Sequence, residues 1–521
     1  MNSGCDLASL APAAGKSVRP ALRSGPWPWA WLRGLALGVP LYALFLVGVW
    51  LAWDGYARWR IGRTMAAMRA AGEPPTWEEL FPAPPAVGDN AADHYRRAFA
   101  AYDALSDDAK DYIDNGLDPR WAHDLAPSLH RIFAENPDVL GELRAARQSP
   151  RIEWGHHWQS PHVNDYDFEY SPLRNAARML GAAALMAGED GDTVAAAGYC
   201  VDILHVGRAL QAVVPSVISD LSRIATDELA CAAIASVLPG IKVPPGDAAA
   251  AARTRAALTA LRDVLLDDAD LRDALLADWR GDRVEILDWA REFAKWRPHY
   301  PPYEEPWAQV SIGVPQPPHT ALARPWTMLS LLRVVDLDAH YSAAARSESD
   351  AAAIAKAKLG VPLRGDWLAR VRFFPADFVI GDHTRAFTLH FRAVAKRRLA
   401  ACAIAVRLYE LDHGTPPASL TALVPTYLAR IPIDPLAPPG TPITYQPNMS
   451  PASQTTAIGV LSSGPFTFWR FHTRVTNIAT PPVLVYTRAA DEQAAAASQA
   501  ATASQPPTAS PPPASSHADH H

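Results

Sequence analysis

The sequence predicts a mainly α protein with an N-terminal transmembrane helix, a large helical domain containing a helical hairpin, and a small C-terminal α+β element with antiparallel strands. Three observations carry that prediction. An uncharged apolar run lies between Gly34 and Trp53, apolar residues recur at helical spacing from Asn90 to Leu411, and beyond Gly414 the texture changes to short runs of β type. At 521 residues the chain is long enough for one large or two ordinary domains.

The run from Gly34 to Trp53, GLALGVPLYALFLVGVWLAW, is 20 residues long. A helix of that length covers a hydrocarbon core of roughly 30 Å. Trp27, Trp29 and Trp31 precede it, and Trp50, Trp53, Tyr56 and Trp59 close it, as interfacial belts do. Pro40 is compatible with a membrane helix. The run is too long for a cleaved signal peptide, and no small-x-small site follows it. The expected partner of this segment is therefore the lipid bilayer. Basic residues do not decide orientation, because Lys16, Arg19, Arg23 and Arg33 on one side face Arg58, Arg60, Arg63 and Arg69 on the other. A large domain translocates largely regardless of its charges, which favours a cytoplasmic N-terminus.

The expected organisation is an N-terminal tail over 1–33, the transmembrane helix over 34–53, a Pro-rich linker over 54–89, a helical domain over 90–411, the α+β element over 412–490 and a disordered tail over 491–521. PPTWEELFPAPPAVGD, in the second half of the linker, reads as extended chain because of its prolines. Asn90 is placed to cap the next helix, in which Tyr95, Phe99, Tyr102 and Leu105 fall on one stripe. Leu173 to Leu210 holds two amphipathic runs broken by Gly188, Asp190, Gly191 and Asp192, and resembles a tetratricopeptide-type hairpin. No fixed 34-residue period establishes a repeat array.

Helices are expected over Asp192–Val213 and Ser216–Val237, meeting at Val214-Pro215. Cys200 and Cys231 are nearly equidistant from that turn, so a hairpin could bring them together as a disulfide or as two buried thiols. With four cysteines and no CxxC pair, no disulfide scaffold or zinc ribbon is written here. Further helices read from Asp247 to Asp278, from Arg283 to Trp296, from Trp326, and from His383 to Leu411. Pro301 to Pro325 reads as a long surface loop. Strand-like runs follow at Ile443–Gln446, Ala457–Ser462, Phe466–Val475 and Val483–Thr487. From Asp491 the chain has almost no large apolar residues to bury.

Arg397 to Tyr445 carries Tyr409, His413, Gly414, Pro416, Pro417, Leu420, Leu423, Pro425, Tyr427, Leu428, Ile431, Pro432, Asp434 and Pro435 in an order that resembles a segment of type II secretion pseudopilins. It also resembles a family of uncharacterised single-pass bacterial membrane proteins. That second likeness extends to the membrane helix, Asn90 to Ala92, the Leu173 to Leu210 hairpin and Arg324-Pro325. The resemblance implies a fold element, with Gly414 in a left-handed cap and Leu420, Leu423 and Leu428 folded back on the preceding helix. It also implies the bacterial inner membrane, with the large domain extracytoplasmic. The membrane helix lacks the prepilin processing pattern, and LSSGPFTFWRFHTRV replaces the pseudopilin calcium loop.

The 48 Lys and Arg against 54 Asp and Glu leave a net charge of −6, which argues against nucleic acid as a partner. No GxSxG elbow, P-loop, HExxH helix or Gly-rich dinucleotide turn is present. The candidate site is WGHHWQSPHVNDYDFEY, where His156, His157, His162 and Asp165 could ligate a divalent metal with Asp167 or Glu169 as general base. The competing reading is a polar, aromatic-stapled loop. His517, His520 and His521 can capture metals adventitiously. Asp267, Asp268, Asp270 and Asp273 read as a solvated helix face, Arg364-Gly365-Asp366 as a chance tripeptide, and Lys396, Arg397 and Arg398 as an exposed basic face. These readings favour a non-enzymatic, membrane-anchored binding or scaffold protein of the cell envelope with a protein partner and no cofactor. A metal-dependent hydrolase and a secretion-system component related to pseudopilins are the alternatives.

Overall fold

The computed structural model describes residues 27–81, 88–117, 119–156, 169–242, 247–295, 322–359, 384–449, 457–461 and 483–487. It is mainly helical, and it divides into two compact units, Met1–Tyr56 and Ala57–His521. The first helix, α1, spans Trp27–Ala70. Helices follow at Trp77–Leu80 (α2), Ala91–Asp103 (α3), Asp107–Asn115 (α4), Pro119–Glu135 (α5), Pro137–Gln148 (α6), Tyr170–Glu189 (α7), Thr193–Gln211 (α8) and Val217–Val237 (α9). Ala248–Leu266 (α10), Ala269–Ala294 (α11), Arg324–Ala345 (α12), Asp350–Leu359 (α13) and Thr384–His413 (α14) complete the set.

Within the first unit, α1 leaves its apolar side chains uncovered on every side, with Leu37, Leu41, Leu44 and Phe45 each 64% exposed or more. It is the one helix among the described residues long and apolar enough to cross a membrane. The helix continues through residues 54–70, where a linker was expected. Neither Pro nor a left-handed Gly interrupts it before Gly72, whose φ is +75°. Ala57, Ile61 and Met68 fall on one stripe and are buried with Leu287, Ala290 and Phe293 of α11 and Met328, Leu331 and Leu332 of α12. The remainder of the expected linker is also partly helical. Thr76 caps α2 by accepting from the Glu79 amide, and Trp77 beside it is seated in the core.

The largest core lies among α3 and α5 to α10, with α14 laid across them. Asn90 caps α3 by accepting from the Ala92 amide, and its amide nitrogen donates to the Glu153 carbonyl at 2.7 Å. The α7–α8 hairpin turns at Gly191, with φ +74°, and Asp192 accepts from the Ala195 amide at 3.0 Å to start α8. Its inner face is built of small residues, Ala176, Ala177, Ala182, Ala183 and Ala184, which let neighbouring helices approach closely. Cys200, Cys231 and Cys402 are free thiols, all buried.

One helix break differs from expectation. The chain was read as helical from Asp247 to Asp278, yet α10 ends at Leu266 and α11 starts at Ala269, running through residues 279–282 without interruption. The reason is tertiary. Arg397 of α14 donates to the carbonyls of Val264 and Asp267 at 2.6 and 3.3 Å, satisfying acceptors that a helix end leaves open. Gly281, which would weaken an isolated helix, is needed where it stands, because a Cβ there would fall on the Pro215 carbonyl.

After α14, Gly414 takes φ +73° and its amide bonds back to the Glu410 carbonyl at 2.8 Å. Leu420, Leu423 and Leu428 are buried in the core that includes α14. Three strands, β1 (Thr444–Met449), β2 (Ala457–Leu461) and β3 (Val483–Thr487), pair antiparallel in that order. Tyr445 faces Val460, and Val460 faces Leu484, with an irregularity between Gln446 and Met449. Residues 301–321, 364–366, 466–475 and 491–521, for which a loop, a tripeptide, a strand and a tail were expected, lie outside the described residues.

The two kinds of helical glycine give a paired prediction. Gly281→Ala forces α11 away from Pro215 and should cost about 2–4 kcal/mol, beyond the usual overpacking range because backbone must move. Gly198→Ala, with open space around its Cβ position, should be neutral or stabilise by up to about 1 kcal/mol. Urea titration of the full chain in detergent measures both; equal effects would refute the packing assignment.

Candidate functional site

Charged side chains converge inside the body where α8, α9, α11 and α14 meet. Arg397, expected on an exposed face, is 1% exposed. Its Nη1 lies 3.5 Å from Asp227 Oδ2 and 3.8 Å from Asp270 Oδ1. Asp270 Oδ2 in turn accepts from Arg223 Nη2 at 2.6 Å and from Arg208 Nε at 3.0 Å. Lys396 pairs with Glu228 at 2.7 Å, and Arg398 Nε donates to Asp268 Oδ2 at 2.8 Å. Asp268 and Asp270 of the acidic run therefore meet Arg398 and Arg397 of the basic run in a joint that is half-buried at its edge and buried at Arg397. This corrects the solvated reading for these residues, whereas Asp267 and Asp273 are exposed as expected. Each charge keeps a partner because an isolated buried ion is prohibitively costly.

The neighbouring layer is more acidic. Asp220 and Asp278 are fully buried, and His390 Nδ1 lies 3.5 Å from Asp220 Oδ1. Asp278 accepts from the Gln211 amide, and its Oδ2 has no hydrogen-bond partner among the described residues. Burial first, and then the charge of Asp220, raise the Asp278 carboxyl well above its ordinary range. Burial likewise raises Asp227 despite Arg397 and Arg223. At Asp270 burial also pushes upward, but Arg223, Arg397 and Arg208 outweigh it and the net shift is downward. Tyr170 hydrogen-bonds Ser219 Oγ at 2.6 Å at the edge of this layer.

A second polar cluster lies between α3, α6 and α8. Tyr95 OH meets His205 Nδ1 at 2.8 Å, and the two rings stack with Trp154 and Phe99 alongside. Arg147 Nε sits 3.1 Å from Asp202, which is 1% exposed. Burial raises Asp202 to about 6, outweighing Arg147 and Arg144. Burial also lowers His205 to about 4, so that imidazole is neutral at physiological pH.

Of the metal-ligand candidates, His156 is described and its Nε2 lies 3.5 Å from Glu169. His157, His162 and Asp165, with Asp167, fall outside the described residues, as do His517, His520 and His521. Among the described residues no three His, Cys, Asp or Glu side chains form a group that could hold a metal ion. The thiols of Cys200, Cys231 and Cys402 are pushed up to about 12 by burial, which keeps them protonated and unreactive as nucleophiles. No family model, curated protein or solved structure matches the chain.

Arg223, Asp227, Asp278, His205 and Arg208 were not singled out by sequence. The only available signal was their position on apolar helix faces, where a charged residue requires a partner. The arrangement can lock helices together through paired charges.

Arg397→Met should destabilise the chain by about 3–5 kcal/mol, because Asp227 loses its closest cation and two helix-end carbonyls lose their donor. In a double-mutant cycle with Asp227→Asn, measured by urea unfolding, the coupling should exceed about 1 kcal/mol; additive effects would dissolve the proposed joint. Asp202 predicts a pH effect. Its folded pKa is raised from 3.8 to about 6, so its contribution is complete below pH 3.8 and lost as pH rises through about 6. Between pH 4 and pH 7 the wild type should lose about 2 kcal/mol relative to Asp202→Asn. Parallel unfolding curves across that window would contradict the assignment.

Proposed function

We propose that this chain is a single-pass protein of the bacterial inner membrane, anchored by residues 34–53, whose extracytoplasmic helical domain binds or scaffolds another envelope protein and performs no catalysis of its own. The observation that carries the reading is the apolar stretch of α1, uncharged over its length and uncovered on all sides. In water such a helix would expose far more apolar surface than a soluble protein tolerates. The pseudopilin-like segment Arg397 to Tyr445 supports an envelope location.

Replacing Leu44 and Val47 together by Arg tests the anchor. Each Arg costs about 2.5–3.5 kcal/mol at the centre of a membrane helix, so the double variant should leave the pellet on alkaline carbonate extraction while the wild type stays. A double variant that still sediments would remove the anchor. A reporter fused after Ala489 should be active outside the cytoplasm, and activity restricted to the cytoplasm would reverse the topology. Cross-linking in intact membranes should give one reproducible partner.

A further inference from the structure

We infer that the recess between α6 and α8 is a binding site for a small aliphatic carboxylate. It encloses about 290 Å³, close to the lower end of ligand-sized cavities. Arg147, His205 and Arg208 supply its polar edge, and Ile152, Val201 and Leu204 supply an aliphatic wall. Among the described residues no carboxylate lines it. The acids that pair with its two arginines, Asp202 and Asp270, are not among its lining residues.

That arrangement fixes each guanidinium while leaving donors for a ligand. Arg147 uses Nε on Asp202 at 3.1 Å and Nη1 on the Gly198 carbonyl at 3.1 Å. Arg208 uses only Nε, on Asp270 at 3.0 Å. Arg147 Nη2 and both Nη atoms of Arg208 have no hydrogen-bond partner among the described residues. His205 adds a third donor. Tyr95 is buried and its hydroxyl has His205 Nδ1 as its one partner among the described residues, so satisfying that hydroxyl proton makes Tyr95 the donor and Nδ1 the acceptor. The tautomer that results carries its hydrogen on Nε2. Two guanidiniums and an N–H beside an apolar wall, with no competing acid, match a carboxylate head on a short aliphatic body. A neutral ligand would leave the guanidinium donors without a charge to meet, and a phosphate would leave the aliphatic wall unused.

Isothermal titration of the full chain in detergent micelles with hexanoate, against a micelle-only baseline, tests the site. Hexanoate should bind saturably, while hexan-1-ol and inorganic phosphate should each bind at least about tenfold more weakly, equivalent to 1.4 kcal/mol. Arg208→Gln should weaken hexanoate about tenfold or more. Because Arg208 also holds Asp270, Val201→Glu is the second variant; it places a negative charge on the wall and should abolish binding while thermal unfolding stays cooperative. Absent hexanoate binding, equal binding of hexan-1-ol, tighter binding of phosphate, or wild-type affinity in Val201→Glu would each overturn the assignment.

Discussion

The burial of Arg397 is the constraint on which the body of the protein depends. A guanidinium at 1% exposure needs acceptors and a counter-charge. Three elements supply carbonyls to its Nη2 and carboxylates near its Nη1, while Nε has no hydrogen-bond partner among the described residues. The end of α10 gives two carbonyls, α9 gives Asp227, and α11 gives Asp270. The break between α10 and α11 is thus a requirement of the arginine as much as of local sequence. A helix continued through Asp267 and Asp268 would keep the Val264 carbonyl in its own ladder and leave Arg397 short of acceptors. Asp270 then transmits the constraint outward, because the carboxylate that faces Arg397 also fixes Arg223 and Arg208.

Legibility in the sequence followed the range of the interactions. Elements set by local chemistry were readable. Asn90 caps α3, the Gly191-Asp192 turn closes α7 on α8, and Gly414 ends α14. The apolar stretch of α1 was readable because its only requirement is the absence of charge. What local sequence does not show is which members of a charged run leave solvent: Asp267 and Asp273 stay exposed, while Asp268, Asp270 and Arg397 pair across the fold. Asp268, Asp270 and Arg397 lie more than 120 residues apart in sequence, and nothing in either run announces the other. The helix expected to end after Asp278 illustrates the same limit. Gly281 has poor helix propensity, whereas the close approach of the Pro215 carbonyl makes it a packing residue. Trp77 was hidden inside a Pro-rich stretch, although Thr76 before it is an N-cap that could have been read.

Polar and apolar layers divide the work along α11. Its residues Leu275 and Trp279 enter an aromatic core, where Trp279 stacks on Tyr341 at 4.8 Å and on Phe387 at 5.4 Å. Leu287, Ala290 and Phe293 enter a separate apolar core. Asp270 and Asp278 lie on the side facing α8 and α9. Apolar contacts specify the register of a helix less sharply than paired charges do, since a displaced apolar side chain meets other apolar neighbours whereas a displaced buried ion loses its counter-charge. A slide of one turn, 5.4 Å, would be fatal to the polar layer. Asp270 would leave Arg223 and Arg397, and Asp278 would leave Gln211, stranding several buried groups at once. The charged joint therefore sets the register that the apolar cores cannot set by themselves. Buried ion pairs often contribute little net stability over well-packed apolar residues, so selection of one alignment of α9, α11 and α14 is the stronger physical reason for so much charge at the centre of a helical body.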